Sequence, residues 1–238
     1  MHMNEMHYLP LAPDYFLILA GFFLIAVLAL ALLRHAYLDL GVSSGTALLL
    51  LLASLVGSYF NIPVAQLPPE HVFSDQVQDY AGIYYVIPRV TDWGGTVIAV
   101  NVGGAVIPTL MSLYLLITHH LWLRGAIATA IVAVLLHLLA TPVHGVGIAV
   151  PIFWPAVITA IVSLVLAPYD AAPLAYIAGS MGTLIGADLT NLSQVRGLGA
   201  PVASIGGAGT FDGIFLTGIL AVLLAGLYHP RRAAIQSP

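Results

Sequence analysis

The sequence predicts an all-α fold, a polytopic transmembrane helix bundle of about seven spans with one polar segment between spans 2 and 3. Three observations predict it. Hydrophobic residues make up 60% of the chain and the mean hydropathy is +1.01, while 7% of residues are charged against roughly 25% in an ordinary soluble domain. The apolar residues gather into runs approaching the about 20 residues that cross a bilayer, punctuated by Pro, Gly and charged residues. The six basic residues are all Arg and are unevenly distributed between the intervening loops.

Taken in order, the first run is Tyr15 to Leu33, stopped by Arg34 and His35. The stretch before it carries Glu5 and Asp14 and lacks the basic start of a secretory signal, so this run reads as a retained helix. The second, Thr46 to Phe60, is short and ends at Asn61-Ile62-Pro63. The third, from near Gly95 to Thr118, contains Asn101, Gly103, Gly104 and Pro108, which predict a broken or kinked helix lining protein or water rather than lipid. Four more follow: about Gly125–Ala140, Gly147–Ala167, Ala172–Leu192 and Phe211–Leu227, giving seven spans with six or eight as alternatives.

The whole chain, residues 1–238, reads as one integral membrane domain, with residues 61–94 as an extramembrane polar segment. That segment holds Glu70, Asp75, Asp79, Arg89 and Asp92, and its β-prone Ile83-Tyr84-Tyr85-Val86-Ile87 suggests a short hairpin or an interfacial element. With the N-terminus outside and the C-terminus inside, Arg34, Arg124, Arg231 and Arg232 fall on the inner side and only Arg89 and Arg196 outside. This fits the positive-inside rule in a prokaryotic plasma membrane. Lipid is therefore the expected surrounding. A net charge of −4 without Lys excludes a basic nucleic-acid face, and the absence of Cys excludes disulfides, thiolate metal sites and a Cys nucleophile. Oligomeric state is not encoded in these features.

Three aspartates in the apolar C-terminal third are the main clue to function. A carboxylate at bilayer depth is costly and usually faces a cavity, an ion, a substrate or another carboxylate. Asp188 has no opposite charge near it in sequence until Arg196. Around Asp170, in Pro168-Tyr169-Asp170-Ala171-Ala172-Pro173, two readings are open: a turn with a solvated, chemically silent Asp, or one helix from Val157 to Gly179 with Tyr169-Asp170 embedded in it. Asp212 follows the Gly-rich Ser204-Ile205-Gly206-Gly207-Ala208-Gly209-Thr210-Phe211. The glycines allow close backbone approach and a helix start attracts anions, or else Asp212 caps the last helix.

Tyr169-Asp170, followed by Gly207-Ala208-Gly209-Thr210-Phe211-Asp212-Gly213, resembles the Tyr-Asp and Gly-x-Gly-Asp motifs of intramembrane aspartyl proteases, the presenilin and signal-peptide-peptidase group. It departs from them in the two residues between the second Gly and Asp212, in lacking a Pro-Ala-Leu motif, and in having seven spans instead of nine. Ile185-Gly186-Ala187-Asp188 is an alternative match to the second motif. The resemblance implies an intramembrane hydrolase in which two of Asp170, Asp188 and Asp212, with Tyr169 adjacent, cleave a transmembrane peptide. One carboxylate would activate water and the other donate a proton, and no cofactor is needed. The chain also looks like a prokaryotic multi-pass membrane family of unknown function, which implies no activity.

A second reading is an ion or small-solute transporter or channel. Its path would run past the broken third span at Asn101 and Pro108 and past Gly207 and Gly209, with Asp188 and Asn191 on one helix face as oxygen ligands for protons, Na⁺ or a hard divalent cation. No metal site is predicted outright. The alternative is His137 and His144, seven residues apart with Pro142 between them. A third reading, a membrane scaffold packing through small-residue faces, would tolerate loss of the acids.

Overall fold

Each of the seven apolar runs nucleates one α-helix, and the polar and Gly-rich residues at their ends decide where the helix gives way to other backbone. The computed structural model describes residues 13–80, 83–143, 147–151, 153–196, 201–207 and 213–228. Among these, the helices are α1 (Pro13–Asp39), α2 (Ser44–Gly57), α3 (Ile107–Thr118), α4 (Trp122–Leu139), α5 (Trp154–Leu166), α6 (Ala171–Thr183) and α7 (Gly213–Gly226). The chain is mostly helical.

Local chemistry explains the boundaries. Arg34 and His35 do not stop α1, because His35 reaches Asp39 one turn on, at 3.8 Å, and the helix runs to that residue. The Ser43 hydroxyl accepts the Thr46 amide at 3.3 Å and caps α2. Pro155 occupies the first turn of α5, where a missing N–H costs nothing, while Pro108 opens α3 directly behind a π-helical turn. Helix α5 ends at Leu166 and α6 begins at Ala171, so Tyr169-Asp170 lies in a turn and the continuous Val157–Gly179 helix is not formed.

The mostly helical chain is consistent with the all-α expectation, and beside the helices the described residues hold seven strands, in a three-stranded sheet of β1 (Asn61–Gln66), β4 (Val97–Asn101) and β7 (Val202–Ile205) and in two hairpins, β2 (Glu70–Tyr80) with β3 (Ile83–Trp93) and β5 (Thr141–Val143) with β6 (Gly147–Ala149). The β-prone segment thus forms a hairpin longer than expected. Not every apolar run is one full-length helix. Among the described residues, α4 is long and apolar enough to cross a membrane, while 45–57, 102–118, α5 and α7 are shorter apolar helices. The shortfall has a local cause, since the runs spend residues on extended, π-helical and 3₁₀ backbone where the elements meet.

Those irregular pieces position the site. Strand β4 pairs antiparallel with β1 (Asn61 with Asn101) and parallel with β7 (Val100 with Ile205). Beyond β4 the chain passes through a π-helical turn, Val102–Val106, into α3; α6 continues into a second, Leu184–Asp188, and then a 3₁₀ stretch, Leu189–Val195. The third apolar run is therefore extended up to Asn101 and helical from Val102 to Thr118, opening in a π-helical turn instead of breaking between Asn101 and Pro108. Helix α6 is the hub, packing on α3, α4, α5 and α7. Small residues allow this: a Cβ on Gly179 would come 3.1 Å from the Gly218 Cα of α7.

Large apolar residues line the outside of the bundle as well as its core, and several hydroxyl side chains are buried. Leu49, Leu110, Leu123, Val134, Leu138 and Val165 point outward, each at least 60% exposed, while Ser112, Thr159, Ser163, Ser180, Thr183 and Thr217 are buried.

A polar junction where two broken helices meet

Asn101, the last residue of β4, is fully buried and its amide is completely used. The Gly104 amide donates to its Oδ1 at 2.8 Å, capping the π-helical turn, while its Nδ2 donates to the Ser58 carbonyl at 2.7 Å and to Asn61 Oδ1 at 3.1 Å. These contacts fix which way the amide faces. One side chain so ties the end of α2, the start of β1 and the entry to α3.

The same knot reaches β7. Ser204 Oγ lies 2.6 Å from Asn61 Oδ1 and 2.6 Å from the Gly207 carbonyl oxygen, and its single proton can serve one of them at a time. Gly206 follows with φ +90°, and a Cβ there would come 2.7 Å from the Ala105 nitrogen, so only glycine fits between β7 and the first π-helical turn. Its amide donates to Asp188 Oδ2 at 2.8 Å. Asp188 closes the second π-helical turn, so the two π-helical turns converge on Gly206. Turns of this kind are frequent at functional sites.

Asn191 has a different job from the one expected of an ion ligand. Its Nδ2 donates to the Gly186 and Ala187 carbonyls, both at 2.9 Å, and its Oδ1 accepts from Gln194 at 2.8 Å. It satisfies backbone groups freed where the π-helical turn passes into the 3₁₀ stretch. Thr190 assists by donating to the Gly186 carbonyl at 2.8 Å, which leaves its oxygen to accept from His137 Nδ1 at 2.9 Å. His137 is thereby engaged with Thr190. The described residues contain no group of three or more His, Cys, Asp or Glu that could hold a metal, and His144 lies outside them.

Asp170 stands far from this junction. It occupies the N-cap position of α6 without a side-chain capping bond, is partly exposed, and places Oδ1 3.6 Å from His119 Nδ1. Tyr169 beside it is exposed. Asp170 and Asp188 sit at opposite ends of one continuous helical stretch, 18 residues or roughly 25 Å apart, so these two do not form an acid–base pair. Asp212 and Gly209 lie outside the described residues. Of the expected path residues, Asn101, Gly207 and Asp188 come together, and Pro108 lies buried in the first turn of α3, which the first π-helical turn leads into.

Sequence reasoning missed Asn61, Ser204 and Gly206 as members of the junction. A signal existed: Asn101-Val102-Gly103-Gly104-Ala105 and Ser204-Ile205-Gly206-Gly207-Ala208 are near-copies, each at a strand end leading toward a helix.

In comparisons with known proteins, the model of a family described as "Protein of unknown function (DUF1614)" matches residues 55–224, a stretch containing the whole junction. No curated protein and no solved structure matches.

Proposed function

We propose that this chain, which belongs to the DUF1614 family, is an integral membrane transport protein that moves a proton or small cation past the Asp188–Gly206 junction. The observation that carries the reading is the meeting of two π-helical turns, Val102–Val106 at the start of one helix and Leu184–Asp188 at the end of another, at one glycine held by a carboxylate. Interrupted helices and extended backbone are tolerated at membrane depth where they are enclosed by protein or line a water-filled path, and transporters place their sites there. An exterior rich in exposed Leu and Val, around a core into which Ser and Thr side chains are also packed, supports the membrane setting. In this reading the seven helices form a polytopic bundle in a prokaryotic plasma membrane, with the N-terminus outside.

An aspartate-pair hydrolase acting on transmembrane peptides is the second reading, supported by the uncapped Asp170 carboxylate opening α6. Asp212 is the partner it requires. The two readings separate on one set of proteins: wild type, Asp188→Asn, Asp170→Asn and Asp212→Asn, reconstituted in liposomes. Transport predicts ion flux that Asp188→Asn reduces and Asp170→Asn leaves intact. Hydrolysis predicts cleavage of a labelled transmembrane peptide that both Asp170→Asn and Asp212→Asn abolish. Cleavage without Asp188-dependent flux overturns the transport reading.

A further inference from the structure

Helices α2 and α3 touch at one end and part at the other, leaving a groove of about 450 Å³ between them. They run in opposite directions, because α2 leads into β1, α3 follows β4, and those strands pair antiparallel. The contact lies at the polar junction, where a Cβ on Gly57 would come 3.0 Å from the Gly103 nitrogen. Away from it, Leu50, Ile107, Leu110 and Met111 line the groove. Ser43 and Thr46 stand at the opening turn of α2 and Tyr114 two turns into α3, so the lining hydroxyls gather at the end farthest from the junction. The Ser43 and Thr46 oxygens are 2.9 Å apart; one of their two protons bridges them and the other is left to donate. Leu110 and Tyr114 are also exposed on the outside of the bundle, which makes the groove continuous with that apolar surface.

Size and polarity select the occupant. From Ser43 to Leu50 is about 10 Å along the helix, so the volume corresponds to a cross-section of about 40 Å², roughly half that of an α-helix about 10 Å across. A helix from a second copy is therefore too thick. Water would lack hydrogen-bond partners along the apolar walls, and an empty groove would forfeit their dispersion contacts. An alkyl chain with a polar head matches both the width and the change from hydroxyl to apolar lining. We propose that the groove holds an acyl chain of a membrane phospholipid, whose ester oxygens accept from the hydroxyls of Ser43, Thr46 and Tyr114 and whose tail lies against Leu50, Ile107 and Met111. Ile107 directly follows the first π-helical turn, so the tail ends against the helix that leaves the junction. The site rests on the membrane setting of the proposed function and not on transport.

Two measurements on the full chain test this: photolabelling by a phosphatidylcholine that carries a diazirine on its acyl chain, in nanodiscs of phosphatidylethanolamine and phosphatidylglycerol, and native mass spectrometry after detergent extraction. The probe should label Met111, which is buried but lines the groove, and spare Leu115, buried one turn further along α3. Leu50→Trp fills the groove. It should lower the labelling of Met111 at least about tenfold, because overpacking rejects the chain by that factor, and leave the labelling of the outward-facing Leu138 unchanged. Wild type should carry a phospholipid through extraction and Leu50→Trp should not. Met111 unlabelled in the wild type, or labelled within about twofold of wild type in a folded Leu50→Trp variant, would overturn the proposal. Should that variant not fold, the contrast between Met111 and Leu115 and the retained mass in wild type decide it. A retained detergent, free fatty acid or peptide in place of a phospholipid would overturn the assigned occupant. Wild type that stays dissolved without lipid or detergent would overturn the membrane setting together with the proposal, whereas membrane-integrated protein with Met111 unlabelled overturns the proposal alone.

Discussion

The carboxylate of Asp188 accepts the main-chain amide of Gly206 at 2.8 Å, joining the end of α6's helical stretch to the loop that leaves β7. This bond needs an acceptor at Asp188 but not a charge, so binding and folding can be separated there. Asp188→Asn should keep an oxygen for Gly206 and cost at most about 1 kcal/mol of stability, while Asp188→Leu should cost about 1–3 kcal/mol by stranding the amide. Thermal unfolding in detergent measures the difference. The same Asn variant should lose ion flux, because it can neither carry a proton nor offset a cation's charge.

Asn101 should prove the most sensitive polar residue of the junction. Asn101→Ala strands the Ser58 carbonyl and the Gly104 amide at once, while Asn61 Oδ1, exposed, keeps Ser204 as its donor. At about 1–3 kcal/mol for each stranded group, the loss is a large part of the stability of a typical domain. Little folded protein should be recovered by size-exclusion chromatography. Asn101→Asp restores only the acceptor for Gly104 and should rescue only part of it.

Gly206→Ala and Gly213→Ala make a matched pair. The first forces a side chain against Ala105 from a φ of +90°, the second meets nothing within 4 Å among the described residues. The expected result is a cost of about 2 kcal/mol or more for Gly206→Ala and less than about 0.5 kcal/mol for Gly213→Ala. Equal unfolding midpoints would contradict the tight approach of β7 to the first π-helical turn.

Val134 on α4 tests the membrane setting. It is 61% exposed near the middle of an 18-residue apolar helix. In water Val134→Arg would be close to neutral, whereas at the centre of a bilayer it carries a penalty of about 2.5–3.5 kcal/mol. Fractionation of cells expressing the variant should show a marked fall in the membrane-integrated fraction.

The partly exposed His119–Asp170 pair should matter little to stability. Asp170→Asn is expected to change it by less than about 1 kcal/mol, and adding salt should shrink the difference further. A variant that folds normally but loses peptide cleavage would favour the hydrolase instead.

The sequence alone determined the class of the chain, because composition and apolar run length are sums over local residues. It also determined seven helix-forming runs and the β-prone hairpin segment, where propensity acts on its own stretch of backbone. Tertiary structure decided everything that depends on which turn meets which. Asp170 and Asp188 look interchangeable in sequence, yet α6 and the π-helical turn that follows it hold them at opposite ends of one helical stretch, roughly 25 Å apart. Asn191 looks like a ligand until the π-helical and 3₁₀ turns around it release carbonyls that take up its amide. Asn61 and Ser204, 143 residues apart, become neighbours only because β4 pairs with both β1 and β7. Period and propensity carry no term for such pairing, which is set by long-range backbone hydrogen bonds and by glycines small enough to let the strands and helices touch.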